Sequence, residues 1–172
     1  PSTGLHTNGY SLARKILFEV LGCRPDQVLP ELGSSVADEL LKVHRSYLEP
    51  VWPLLERGFL HAAAHITGGG ITDNLPRVLP EGLRARIKVG AWEIPPVFRL
   101  LAERGEVPED DMWRTFNLGV GMILVVPPKQ LGKVLESLKK AGCPSFPMGN
   151  VIAGDRGVEY DHPPAGYPSG WR

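Results

Sequence analysis

Cysteine is scarce in this sequence, neither sign of charge is in excess, and no long apolar run occurs. Cys23 and Cys143 are the only cysteines among 172 residues, and neither belongs to a Cys-x-x-Cys pair. That excludes a disulfide-built scaffold and a thiolate zinc centre. The 19 Lys and Arg balance the 19 Asp and Glu. A neutral chain lacks the electrostatic footprint that binds nucleic acid polymers or anionic membranes, so neither is expected as a partner. No apolar stretch approaches the ~20 residues of a membrane-spanning helix and no leader pattern is visible, so a cytoplasmic protein is expected. An initiator methionine is missing too. Pro1 runs straight into Ser2-Thr3-Gly4-Leu5-His6, which reads as the middle of a fold and predicts a piece of a longer protein.

What is present suits one compact domain: 42% hydrophobic and 22% charged residues, in a length that supports one core and not two. Leu12, Ile16, Leu17, Val20 and Leu21 share a helical face, with Gly22 placed to end the helix and Thr7 or Asn8 to cap its start. A second helix is predicted from Ser35 through Val36, Leu40, His44, Tyr47 and Leu48, to be ended or kinked by Pro50 and Pro53. Alternation predicts a strand over 60–66, with Ala62, Ala64 and Ile66 on one face and His61 and His65 on the other. A further strand is expected over 83–89. Pro95-Pro96 opens a helix that stops at Gly105, and Pro108 opens another. The apolar run 120–126 predicts a strand buried on both faces. Leu131, Val134, Leu135 and Leu138 mark an amphipathic helix closed by Gly142. Short strands follow near 146–152 and 158–160, then a Pro/Gly-rich tail over 161–172. Together these give an α/β (α+β) domain over 1–160, a mixed sheet of about four to six strands with helices packed mainly on one face.

Chemistry concentrates in three glycine-bearing segments. Gly4-Leu5-His6-Thr7-Asn8-Gly9-Tyr10-Ser11 lies at the mouth of the first helix, where free N–H groups suit a phosphate or carboxylate; a plain capped helix fits it equally. His65-Ile66-Thr67-Gly68-Gly69-Gly70-Ile71-Thr72-Asp73-Asn74-Leu75-Pro76-Arg77 follows a strand. Its glycines allow close approach of a ligand, or simply a turn, and no Gly-Lys-Ser/Thr makes it a Walker A loop. Arg77 could grip a phosphate with its planar fork. In Phe116-Asn117-Leu118-Gly119-Val120-Gly121-Met122, Gly119 and Gly121 fit either close packing or a bulge. His61 and His65 lack further ligands nearby in sequence, so no metal site is expected.

In their order and spacing, the three segments resemble the C-terminal half of the aminoimidazole ribonucleotide (AIR) synthetase family, from Ser2 to residue 160. The resemblance implies a reaction in which ATP activates the amide oxygen of formylglycinamidine ribonucleotide, a ring nitrogen attacks, and phosphate leaves. It also implies an N-terminal partner domain, absent from this sequence, that brings most of the ATP and magnesium site and the main homodimer contact. Carried over, His6 is the catalytic candidate, with Thr7 and Asn8 orienting substrate. Gly68, Gly69, Gly70, Asn74 and Arg77 are implied to hold the ribonucleotide, and Asn117, Gly119 and Gly121 to shape the cleft floor. Selenophosphate synthetase and thiamine-monophosphate kinase share the two-domain architecture. A module that binds a ribonucleotide or another anion without chemistry is the alternative reading.

Overall fold

The computed structural model describes residues 1–143 and 145–161, so the expected tail, from residue 162 on, lies outside the described residues. The first helix, α1 (Tyr10–Arg14), runs on as a π-helical stretch over Lys15–Val20, and Gly22 follows it at φ 61°. Its start departs from expectation. Gly9 is the N-cap, at φ 68°, and no side chain caps the helix. A Cβ at Gly9 would overlap the Phe116 ring, so a close approach selects glycine there, and Asn8 is freed for other bonds.

The hairpin β1 (Val28–Leu29) and β2 (Ser34–Ser35) leads into α2 (Val36–Leu40), where Ser35 Oγ accepts the Asp38 N–H at 3.0 Å. The long second helix expected here is not formed. It stops at Leu40, residues 42–47 are irregular, and α3 (Leu48–Glu56) begins afresh, carrying both prolines. Proline's ring clashes with the carbonyl four residues back, so Pro50 bars a helix from running through Ser46. In the first turn its missing N–H costs nothing. The proline therefore starts a helix rather than ending one.

β3 (Ala62–His65) pairs antiparallel with β5 (Met122–Val125), Ala64 facing Ile123. β4 (Leu83–Lys88) is central in a second group, antiparallel to β6 (Gly149–Ala153) and parallel to β7 (Gly157–Asp161). The mixed α/β class stands, but hydrogen bonding divides the described strands into sheets of two, two and three. An apolar groove of about 770 Å³, lined by Ala85, Ile87, Leu124, Val126 and Met148, lies between the larger two. β5 residues line it, which is why Met122, Leu124 and Val125 are half-buried where full burial was expected.

The remaining helices are α4 (Gly70–Asn74), α5 (Pro96–Arg104), α6 (Glu109–Thr115) and α7 (Leu131–Lys140). Leu17, Phe98, Leu101, Met112 and Phe116 are fully buried between them, with the Phe98 and Phe116 rings 5.7 Å apart. Each such side chain stabilises the fold by roughly 1.5–3 kcal/mol. Phe116 opens the third glycine-bearing segment, so this core fixes one wall of the site.

Candidate functional site

Hydrogen bonds draw the three segments together. Asn8 Oδ1 accepts the Gly68 N–H at 3.0 Å, joining the first segment to the second. Asn117 Nδ2 donates to the Gly4 carbonyl at 2.8 Å, and Asn117 Oδ1 accepts from Ser2 Oγ and from the Gly119 N–H, each at 2.8 Å. The Ser2 N–H donates to the Gly119 carbonyl at 2.7 Å, so three bonds lace the first segment and Ser2 just before it to the third, while the Gly119 N–H bond closes the third segment on itself. Gly121 sits under His6: a Cβ there would overlap the Tyr47 hydroxyl and lie 2.9 Å from His6 Cε1.

His6 and Thr7 both adopt left-handed backbone, at φ 53° and 59°. Such conformations cost of order 1–3 kcal/mol for residues other than glycine and concentrate at functional sites. Asn8 holds the turn, its N–H donating to the Leu5 carbonyl at 3.2 Å and its Nδ2 to the His6 carbonyl at 2.7 Å. Thr7 is left exposed while the His6 side chain turns inward, 3% exposed. Its ring stacks on His44, centroids 3.9 Å apart. Burial, then the nearby His44, His65, N-terminal amine and Arg45 charges, push the His6 pKa down to about 4. His65 is also lowered, by burial and then His44. At neutral pH that leaves His6 an uncharged imidazole.

The triple-glycine loop is held from inside by Asn74. Its Nδ2 donates to the carbonyls of Thr67, Gly68 and Gly70 at 3.3, 3.1 and 2.8 Å. Two of the three glycine amides of the loop expected to hold the ribonucleotide are already engaged: Gly68 N–H by Asn8 and Gly70 N–H by the Thr67 carbonyl. Gly69, at φ 97°, caps α4. Arg77 lies one short turn further on, over Leu75–Val78. It is exposed, so its guanidinium is placed at the surface beside the loop rather than inside the hydrogen-bonded cluster.

Thr3, His44 and Tyr47 escaped sequence reasoning. His44 and Tyr47 looked like turns of an amphipathic helix, and only the irregular path of residues 42–47 brings them to His6. Tyr47 is buried, donates to the Pro1 carbonyl at 2.8 Å, and has its pKa raised to about 12, by burial first and then by Cys143.

The family model for "AIR synthase related protein, C-terminal domain" matches residues 1–162. A phosphoribosylformylglycinamidine cyclo-ligase from Citrifermentans bemidjiense is 46% identical over 158 residues, covering 92% of this chain and 45% of the relative. One from Brevibacillus brevis is 43% identical, covering 93% and 46%. The chain thus spans a little under half the length of these relatives. Among solved structures, a thiamine-monophosphate kinase from Stenotrophomonas maltophilia superposes with a TM-score of 0.64 over 93% of this chain and 48% of its own, at 18% identity. That likeness bears on fold alone. With a family model covering all but its last ten residues, the chain belongs to the AIR synthase related family, as a C-terminal domain of that family.

Proposed function

We propose that this chain is the C-terminal half of an ATP-dependent cyclo-ligase that closes formylglycinamidine ribonucleotide to aminoimidazole ribonucleotide in purine biosynthesis, in the cytoplasm. The observation that carries the reading is the convergence of the three motif segments on one wall, in a chain whose relatives at 42–46% identity bear the cyclo-ligase name. ATP supplies the phosphoryl group that makes the amide oxygen a leaving group. Magnesium prefers oxygen ligands in octahedral array. Among the described residues the one group of clustered potential ligands consists of three histidines, which does not fit it. The nucleotide and its magnesium are therefore assigned to the N-terminal domain, which also brings the homodimer contact, and no step is routed through them here.

The chain's own residues bind and orient. Exposed Thr7 and half-buried Asn8 border the exposed Gly68 of the triple-glycine loop, whose Gly69 and Gly70 shape the backbone against the substrate. Arg77 takes the ribonucleotide phosphate. His6, the catalytic candidate, is neutral and walled in behind the His6–Asn8 turn, with Nε2 held by Thr3 and Nδ1 the nitrogen left without a partner. Asn117, Gly119 and Gly121 form the floor.

Coupled ADP release with formylglycinamidine ribonucleotide and Mg-ATP tests the reading. This chain alone is expected to be inactive, and turnover to appear on mixing with a separately produced N-terminal half. No turnover with both halves folded sinks it. In the complete enzyme, Arg77→Ala is expected to raise KM for the ribonucleotide by roughly 10- to 100-fold with a smaller change in kcat. That is the size of a hydrogen bond to a charged group, ~1.5–3 kcal/mol. An unchanged KM removes Arg77 from the site.

A further inference from the structure

One ring nitrogen from each of His6, His44 and His65 lies within 4.8 Å of the other two. The three arrive from separate parts of the chain: the strained turn after Leu5, the irregular stretch before α3, and the end of β3. His44 Nε2 and His65 Nε2 are 3.3 Å apart. Without an ion the two rings are hydrogen-bonded to each other; two imidazoles sharing a tetrahedral zinc at ~2.0–2.1 Å place their nitrogens about 3.3 Å apart, so an ion can replace that proton without moving the pair.

His6 provides the second, independent sign. It is 3% exposed, and its Nδ1 is buried with no hydrogen-bond partner. Buried polar atoms are nearly always paired, and an orphan calls for a reason, such as an absent ion. The other nitrogen is well provided for. Nε2 lies 2.9 Å from both the Thr3 N–H and Thr3 Oγ1, and Thr3 Oγ1 donates onward to the Val43 carbonyl at 2.8 Å. Without an ion, Nε2 accepts the Thr3 N–H and the Nδ1 proton has no acceptor. With an ion, the proton sits on Nε2, where Thr3 Oγ1 accepts it, and Nδ1 is the nitrogen left to bind; the His6 ring, stacked on His44 at 3.9 Å between centroids, must tilt out of that stack for its lone pair to converge with those of His44 and His65. The exchange forfeits the Thr3 N–H bond in a half-buried position and relieves a fully buried orphan. A ligating histidine whose second nitrogen is oriented by a supporting acceptor is the usual arrangement in metal sites.

We propose that His6, His44 and His65 form a three-histidine site for a divalent d-block cation, zinc foremost, with the fourth position open on the exposed His65 side. The ligand set is all nitrogen, which suits zinc and its neighbours and disfavours magnesium or calcium. The ion links three segments that no hydrogen-bonded sheet or helix connects. It is separate from the magnesium that accompanies ATP, and it goes beyond the cyclo-ligase reading, since it concerns binding by this chain without substrate.

Cobalt(II) is the probe, because its visible d–d absorption becomes intense in tetrahedral coordination. The metal-free chain is titrated with Co²⁺ and then with Zn²⁺ in competition, and circular dichroism checks folding of each variant. One equivalent of Co²⁺ is expected to give tetrahedral bands that Zn²⁺ abolishes. His44→Gln and His65→Gln, both at sites with solvent access, are each expected to weaken binding about 100-fold or more. Even loss of a supporting group typically costs ~10–100-fold, which is the effect expected of Thr3→Val. Cys143→Ser is expected to leave the spectrum unchanged, without a sulfur-to-cobalt charge-transfer band to lose. Absence of tetrahedral bands in the parent chain overturns the proposal, as does equal affinity in a folded His44→Gln or His65→Gln chain. Neither result touches the cyclo-ligase reading, which is measured by turnover.

Discussion

Gly70→Ala is expected to destabilise the chain by about 2–5 kcal/mol, while Gly68→Ala, two residues away in the same triple-glycine run, changes stability by less than about 1 kcal/mol. Gly70 is buried at φ 59°. A side chain there pays ~1–2 kcal/mol for left-handed backbone. Its Cβ would also overlap the Trp113 carbonyl oxygen and lie 3.0 Å from the Phe116 carbonyl oxygen. Both are main-chain atoms of α6 and its end, which cannot swing aside as a side chain can, and overpacking of this kind costs ~1–3 kcal/mol more. Gly68 is exposed and does not share the left-handed conformation; its nearest obstacle is Asn8 Oδ1 at 3.9 Å. Urea unfolding of the two variants against the parent decides the matter. Equal midpoints for both would mean that α4 packs against α6 less closely than the geometry requires, and the loop's glycines would then return to a ligand-facing role. The expected loss is a large share of the ~5–15 kcal/mol that holds a domain of this kind together, so Gly70 in this run is selected by the fold before any ligand.

That division was not legible in the sequence, where the three glycines read as one run, fit for a ligand's approach or for a turn. Periodicity did reveal most elements: α5 behind Pro95-Pro96, α7 through Leu131, Val134 and Leu138, and β4 all lie where pattern places them, because apolar spacing and proline position are local properties. The failures were long-range. Residues 35–48 have helical spacing throughout, yet Pro50 starts a new helix and the chain between becomes irregular. Only tertiary packing against His6 and Gly121 decides where Tyr47 goes. The single sheet expected from strand count gave way to two groups flanking a groove, because strand pairing depends on partners far apart in sequence. The His6, Asn8 and Gly68 neighbourhood followed from the family resemblance. His44, with nothing around it in sequence to mark it, could be found only in three dimensions.

Asn117→Ala is expected to cost about 3–5 kcal/mol, the second large effect, and it tests whether the floor of the site is a strut or merely a surface. The side chain is fully buried. Its amide donates to the Gly4 carbonyl and its carbonyl accepts from the Gly119 N–H and Ser2 Oγ. Removing the amide strands the Gly4 oxygen and the Gly119 nitrogen in a closed space, and each buried orphan costs ~1–3 kcal/mol. Ser2→Ala is expected to cost at most about 1 kcal/mol, because its hydroxyl is only part-buried and water can replace the lost partner. The two changes share one bond, so in the double variant Ser2→Ala is expected to add nothing. Asn117→Asp keeps the acceptor but loses the donor and forces a carboxylate into an apolar setting, so it is expected to be no better tolerated than alanine. Urea midpoints of the four variants against the parent measure all of this. A cost below about 1 kcal/mol for Asn117→Ala, with Ser2→Ala fully additive, would show that water fills the site and that the first and third segments stay together without it. The expected outcome instead makes Asn117 the residue through which the buried Phe116 core dictates where the His6 turn sits. Its influence on turnover would then run through position, not through contact with substrate.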